Sequence, residues 1–343
     1  MQIANWEMQN NTVQSEISAW PHRWAVALAC ATFPLLWIGG LVTTTDAGMA
    51  VKDWPTTNGY WVFPFLEWIK APWDFFVEHG HRFFARSVGL MTIMLLIVFY
   101  RCEPRRWVRW LGVAALALVI LQGVLGGMRV RLDERTLAML HGCVGPLFFA
   151  VTISMVVFTS HRWHAGSGGA GSGGFGHIRR LAIVTCILVY LQMVLGAVVR
   201  HVPVDSEPTT FVHAVRFHLF LAAILALHIA MLTASVLRRV RSVQPLSGLA
   251  CGLAVLLVVQ LSLGGATWIV KFAAPSWAPI WVSTGRAAVQ DGGWLQTHVI
   301  TGHVAVGSLL LAVSLALALY ALRLLPASAA IARRAAHRWK AAV

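Results

Sequence analysis

Charged side chains are scarce in this chain. Asp, Glu, Lys and Arg make up only 12% of its 343 residues, about half the share found in an ordinary soluble domain. Acidic residues are the rarest, with 13 against 27 basic ones, whereas 58% of the chain is hydrophobic. This composition indicates that water is not the main solvent of the protein and excludes an ordinary soluble domain.

Cysteine is also rare, and its placement gives no support to a disulfide framework. Cys102 falls on the basic side of the chain, and the other cysteines fall in or near hydrophobic segments. These are Cys30, Cys143, Cys186 and Cys251. Because no cleavage site of small residues follows the first hydrophobic segment, that segment is predicted to be retained rather than removed as a signal peptide.

Hydrophobic segments of roughly 20 residues, the length needed to cross a bilayer, recur along the chain. They are Trp24–Val42, Phe75–Tyr100, Trp107–Met128, Leu137–Ser160, Leu181–Val199, Phe211–Leu237, Leu249–Ile269 and Leu295–Leu322. The sequence therefore predicts an all-α, polytopic membrane protein with eight transmembrane helices.

The distribution of basic residues predicts how the chain is oriented. The net charge of +14 could indicate a nucleic-acid partner, but more than half of the 27 basic residues fall on one side of an eight-helix threading. They are Arg23, Arg101, Arg105, Arg106, Arg109, Arg162, Arg179, Arg180, Arg238, Arg239, Arg241, Arg323, Arg333, Arg334, Arg338 and Lys340. Such an excess marks the cytoplasmic side of a membrane. We therefore expect both termini in the cytoplasm, the longer connections 43–73 and 271–293 outside, and no nucleic-acid partner.

A Gly/Ser-rich stretch divides the chain in two. Residues 165–178 contain GSGGAGSGGFG, which can pack no core, and are predicted to form a flexible cytoplasmic linker. Four hydrophobic segments precede this linker and four follow it. We therefore predict two repeated four-helix bundles, at residues 1–164 and 179–343.

One histidine in each even-numbered segment shares a common position. His81, His141, His218 and His303 each lie 20 residues before the basic or polar end of their segment, an interval of roughly 30 Å along a helix. All four are thus expected at one depth, near the outer face. Because two imidazoles on facing helices can hold a haem iron between them, the pairs His81 with His141 and His218 with His303 are predicted haem sites.

Other interpretations of these histidines remain open. A single histidine in a membrane helix is more often a hydrogen-bonding or proton-relay group, and the common register is what favours metal ligation. His213 and His298 are alternatives to His218 and His303, since each lies five residues away.

Glu78 is the acidic residue placed deepest in a predicted helix. It precedes His81 by three residues, so both side chains face the same way, and a carboxylate there could exchange a proton next to a bound porphyrin. An ion pair with Arg82, Arg86 or a lysine of the first outer connection explains Glu78 equally well. Likewise, Arg200, together with Arg129 and Arg131, could bind haem propionates or simply reach the membrane surface.

Several spaced motifs resemble the haem A synthase family. They are IGGLVTTTDAG from Ile38, DWPTTNG from Asp53, the E-x-x-H-R of Glu78, His81 and Arg82, QMVLGAVVRH from Gln192 to His201, and GHVAVGSLLLA from Gly302. The resemblance spans nearly all eight segments. Many members of that family carry a cysteine pair in the first outer loop, where this chain has Val51 and Thr57, so it resembles the members without that pair.

The resemblance implies oxidation of a ring methyl of haem O, through a hydroxylated intermediate, to the formyl group of haem A. By the same resemblance, His81 and His141 flank the iron of the substrate, Glu78 acts near the reacting edge, and His218 and His303 hold a resident haem b. The implied location is the bacterial cytoplasmic membrane. The implied partners are haem O synthase, a terminal oxidase, a membrane electron acceptor and a possible second copy of the chain.

Two other classes of protein fit the same features. A di-haem b-type electron carrier would hold both haems permanently and form no product. A transporter would also show repeats and intramembrane charges, although its helices would be broken at the membrane midplane, whereas Gly and Pro here gather at segment ends, apart from Pro34 and Pro146.

Overall fold

The computed structural model of the protein describes residues 18–166, 174–203, 206–272 and 293–325. Eight long helices dominate these ranges. They are α1 (Trp20–Thr44), α2 (Trp73–Cys102), α3 (Arg106–Leu132), α4 (Arg135–Thr159), α5 (Gly176–His201), α6 (Pro208–Arg239), α7 (Leu246–Phe272) and α8 (Trp294–Leu324). All eight are long and apolar enough to cross a membrane. The prediction of an all-α, multi-pass membrane protein is confirmed.

The helices extend beyond the hydrophobic segments in most cases. For example, α5 begins at Gly176 rather than at Leu181, because hydropathy marks the part of a helix in hydrocarbon and not the turns that continue into the interface. Ala165, the first residue of the predicted linker, closes a short helix, His161–Ala165, and residues 176–178, its last three, belong to α5. The middle of the linker lies outside the described residues, so the flexible linker stays a prediction.

Each half of the chain brings its four helices together. In the first half, α1 contacts α2 and α4, and α3 also contacts both of them. In the second half, α5 contacts α6 and α8, and α7 also contacts both of them. Within each half, the two even-numbered helices therefore lie across the bundle from one another, which is where the predicted histidine pairs need them.

The two halves meet along α1, α4, α5 and α8. Here Ala29, Phe149 and Ala312 pack together from three different helices, and the buried hydroxyls of Ser160 and Tyr320 lie 2.8 Å apart. Helix α8 is the most deeply buried of the eight described helices. The two halves are thus joined by a mainly apolar interface between helices and not only by the linker of the chain.

The outer connection between α1 and α2 is folded against the ends of the helices. It contains a short helix, Phe65–Trp68, and a single bridge that pairs Thr57 with Tyr60. Its counterpart between α7 and α8 and the basic C-terminal residues Arg333, Arg334, Arg338 and Lys340 lie outside the described residues.

Candidate functional site

The histidines predicted to form the first pair face each other. His81 of α2 and His141 of α4 have ring centres 6.3 Å apart, with the ring planes 84° from parallel. The Nδ1 atom of His81 is buried and has no hydrogen-bond partner among the described residues. The Nδ1 atom of His141 lies 3.1 Å from the backbone carbonyl of Gln122, which leaves Nε2 of that ring available to a metal.

The second predicted pair has nearly the same geometry. His218 of α6 and His303 of α8 have ring centres 6.5 Å apart and planes 71° from parallel. The side-chain amide of Gln192 lies 3.1 Å from Nδ1 of His218 and donates to the backbone carbonyl of His218 at 3.0 Å. In each half, a glutamine of the preceding helix therefore contacts a paired histidine. Gln192 does so through its side-chain amide in the second half, and Gln122 through its backbone carbonyl in the first.

The spacing of the rings suits an iron held between two imidazoles. A metal–imidazole bond is about 2 Å long, so two such bonds in line place the ring centres roughly 6 Å apart. Within the described ranges, no group of three or more His, Cys, Asp or Glu side chains converges on a metal position. Each pair thus fits a metal that brings its remaining ligands with it, as the iron of a porphyrin does.

A glycine of the preceding odd-numbered helix supports each of the four rings. A methyl group added at these glycines would lie only 3.0 to 3.3 Å from Cε1 of the histidine. The contacts are Gly39 with His81, Gly126 with His141, Gly196 with His218 and Gly264 with His303. These glycines recur at the ends of the odd-numbered segments, and that recurrence is the sequence signal that could have identified them as supports of the histidines.

Glu78 is buried in an ion pair at the outer end of α2. Its Oε1 accepts a hydrogen bond from Arg82 at 2.6 Å, and its Oε2 accepts one from the backbone amide of Val51 at 2.8 Å. Arg82 was one of the ion-pair partners proposed for Glu78 from the sequence. A carboxylate can accept about four hydrogen bonds, so these contacts leave Glu78 free to accept more.

Arg82 also fastens the outer connection to α2. Its guanidinium donates to the backbone carbonyls of Asp53 at 2.6 Å and Val51 at 2.7 Å, and to that of Thr56 at 3.1 Å. On the same helix, the buried ring of His79 lies 3.1 Å from the hydroxyl of Thr57. Val51 and Thr57, the positions at which the resemblance implies a cysteine pair in many haem A synthases, are therefore buried members of a polar network.

The carboxylate of Asp53 organises the turn that follows it. It accepts hydrogen bonds from the hydroxyl of Thr56 and from the backbone amides of Asn58 and Gly59. Partial burial would raise the pKa of Asp53, but these hydrogen bonds outweigh burial and lower the pKa to about 2. The turn is thus held by a carboxylate that stays ionised over the physiological range.

The outer arginines differ in their surroundings. Arg200 of α5 turns inward and donates to the carbonyl of Gly40 at 3.0 Å and to the hydroxyl of Thr44 at 2.7 Å, both on α1. Arg129 donates to the carbonyl of Gly48 at 3.1 Å, whereas Arg131 is exposed. Arg200 therefore bridges the two halves close to the glycine that supports His81.

The alternative histidines lie in other surroundings. His213 is exposed on α6, and the ring of His298 packs edge-on against Trp294, with centres 3.9 Å apart. The geometry of facing rings thus favours His218 and His303 over these two neighbours.

The first part of the chain matches a known family. Residues 22–204, more than half of the chain, match the family described as cytochrome oxidase assembly protein. The chain belongs to this family. The matching part runs from α1 to the end of α5 and contains Glu78, both histidines of the first pair and Arg200.

Individual relatives of the chain carry the description "Heme A synthase". The relative from Methylobacterium radiotolerans is 25% identical over 315 residues, which cover 75% of this chain and 83% of the relative. The one from Allorhizobium ampelinum is 29% identical over 208 residues, covering 51% and 55%. The one from Hyphomonas neptunium is 22% identical over 231 residues, covering 56% and 62%. The chain thus spans less than two thirds of the length of the last two.

Proposed function

We propose that the protein is a haem A synthase, which oxidises a ring methyl of haem O to the formyl group of haem A. The observation that carries this proposal is the facing histidine pair in each half, with ring centres 6.3 and 6.5 Å apart. Membership of the cytochrome oxidase assembly family and similarity to relatives described as haem A synthases support the choice of reaction.

The first half is the proposed substrate site. His81 and His141 bind the iron of haem O from both sides and so fix the height and tilt of the macrocycle in the bundle. Glu78 lies one helical turn from His81, where it would take or deliver a proton at its carboxylate oxygens. The folded outer connection, held by Arg82, supports this assignment because a site that excludes water strengthens the electrostatic interactions within it.

The second half is the proposed cofactor site. His218 and His303 would hold a resident haem b, which supplies one-electron transfer to a membrane electron acceptor when bound. Arg200 would orient the outer edge of that site or of the substrate site, since it bridges the halves through Gly40 and Thr44. Membrane location in a bacterium, cytoplasmic termini, a supplier of haem O and a terminal oxidase as consumer of haem A belong to the same proposal.

Extraction of pigments from membranes tests the reaction. The gene is expressed in cells whose membranes contain haem O but no haem A, and extracted haems are separated by chromatography. We expect haem A only in membranes that contain the protein. His218→Ala and His303→Ala should lose the b-type absorption and the product together, whereas the protein itself remains in the membrane.

A di-haem electron carrier is the second candidate, favoured by the near identity of the two histidine pairs. It predicts two permanently bound haems per chain and no haem A under any condition. Haem content per chain in the purified protein, measured beside haem A formation, therefore distinguishes the carrier from the enzyme.

A further inference from the structure

The outer connection rests on the end of α3 through two glycines. A methyl group added at Gly127 would lie 2.2 Å from both Cδ2 and Cε2 of the Trp54 indole ring. A methyl group added at Gly48 would lie 2.3 Å from Nη2 of Arg129. The guanidinium of Arg129 is the end of a flexible side chain and can move away from an added methyl group, whereas the indole ring of Trp54 could do so only by leaving its place. The indole ring therefore packs directly on the backbone of α3 at Gly127.

Trp54 packs against the residue that follows a support of the first histidine pair. Gly127, which it covers, directly follows Gly126, and Gly126 supports the ring of His141. Arg82 of α2 holds two carbonyls near Trp54 in sequence, that of Asp53, which precedes Trp54, and that of Thr56, two residues after it. The connection is thus fixed to α2 by hydrogen bonds and to α3 by the indole ring.

We propose that Trp54 is a positioning residue that fixes residues 46–61 as a cover over the outer end of the His81–His141 site. The proposal rests on the assignment of this pair as the site of the reacting haem. The cover keeps water from the bound porphyrin and holds the backbone amide of Val51 against Glu78. A substrate must enter and its product must leave, so the cover has to open once in each catalytic cycle.

The chain itself supplies a matched control. The motif Q-x-x-L-G ends in Gly126, Gly196 and Gly264, and the residues that follow are Gly127, Ala197 and Gly265. Alanine is therefore native at one of the three equivalent positions. At Gly265, an added methyl group meets no described atom within 4 Å.

The test compares Gly127→Ala with Gly265→Ala in the purified full-length protein. Hydrogen exchange of residues 46–61, followed by mass spectrometry, reports opening of the cover without reference to activity. We expect exchange to rise about tenfold in Gly127→Ala and to stay at the wild-type rate in Gly265→Ala. Turnover of haem O should fall about tenfold in kcat for Gly127→Ala, because water enters the site and Glu78 loses its fixed position.

Trp54→Ala and Trp54→Phe keep the proposal testable if Gly127→Ala does not fold. Removal of the ring creates no clash, so Trp54→Ala should open the cover as Gly127→Ala does, and Trp54→Phe should restore most of the protection. Wild-type exchange in both Gly127→Ala and Trp54→Ala would overturn the proposal. Raised exchange with unchanged turnover of haem O would also overturn it. A wild-type protein that forms no haem A would instead refute the proposed function, while the exchange data would still report on the contact of Trp54 with Gly127.

Discussion

Each paired histidine depends on a glycine that a single methyl group would disturb. Gly264 lies against His303, and Gly265, its neighbour, meets no described atom at the same range. A side chain at Gly264 would push the ring by a few tenths of an ångström, since the added atom would lie 3.1 Å from Cε1. Bond length and ring orientation at an iron ligand are sensitive to shifts of that size.

We therefore predict that Gly264→Ala changes the b-type haem and Gly265→Ala does not. In Gly264→Ala the haem content should fall or the low-spin absorption and electron paramagnetic resonance signals should shift. In Gly265→Ala they should match the wild type. Identical spectra for all three proteins would show that the glycine contact does not constrain the ligand.

Glu78 has two roles to separate: the ion pair with Arg82 that the structure shows and the proton exchange that we propose. Two variants separate these roles. Glu78→Gln keeps the shape and some hydrogen bonds but removes the charge, so haem A formation should fall by about a hundredfold or more if the carboxylate exchanges a proton. Low-spin haem should be retained in the C-terminal half, and haem O should accumulate in the membrane.

Arg82→Gln is the control, because it breaks the same ion pair and leaves the carboxylate in place. It should loosen the outer connection but retain more activity than Glu78→Gln. If Glu78→Gln and Arg82→Gln lose the same activity, and the double variant loses no more, then Glu78 acts only through the ion pair. Each single variant removes one partner of a buried ion pair and leaves the charge of the other uncompensated. The double variant removes both charges, so it should be more stable than either single variant.

At the scale of secondary-structure elements, the turn after Asp53 provides a pH test. The pKa of Asp53 is lowered from 3.8 to about 2, so its charge stabilises the folded turn. That stabilisation is complete above the unfolded pKa and is lost as the pH falls through the folded one.

Protection of the amides of Asn58 and Gly59 should therefore persist down to about pH 4 and decline towards pH 2. Hydrogen exchange corrected for the intrinsic rate at each pH measures this. Asp53→Asn should weaken protection already at neutral pH and remove the decline. If protection in Asp53→Asn matches the wild type at pH 7, the carboxylate is not what holds the turn.

The helices could be predicted from the sequence, and so could the facing of the histidines. Hydrophobic length marks a membrane helix whatever its neighbours are, and the constant interval from each histidine to the basic or polar end of its segment predicts one depth for all four rings. The contact of Trp54 with Gly127 could not be predicted, because the sequence of a connection has no periodicity. The role of an indole ring there depends on the residues against which it packs. The contacts of Arg82 with three backbone carbonyls also depend on tertiary structure.

At the scale of the whole molecule, eight spanning helices predict that the segments before α1 and after α8 lie on the same side of the membrane. The connection that holds Asn58 and the turn that holds Ser242 then lie on opposite sides. This prediction follows from the helix count and from the excess of basic residues near α6 and α7.

Labelling with a membrane-impermeant maleimide checks the orientation. In a variant without native cysteines, Asn58→Cys should react in intact cells, and Ser242→Cys should react only after the membrane is opened. The reverse pattern would place the basic side outside and invert the orientation. Both positions are exposed, so failure to react would report the side of the membrane rather than burial.

The burial of α8 sets the order in which the protein can mature during synthesis. Helix α8 packs against α1 and α4 of the first half as well as α5 and α7 of the second, yet it leaves the ribosome after all of them. Until it does, the sides of α1 and α4 that α8 covers in the folded protein lack that neighbour, and His218 has no opposing ring. Insertion of the proposed resident haem would therefore await translation of α8. Nascent chains stalled before Trp294 should therefore be held by membrane insertases or degraded by proteases. They should not be released as a partial protein that is already active.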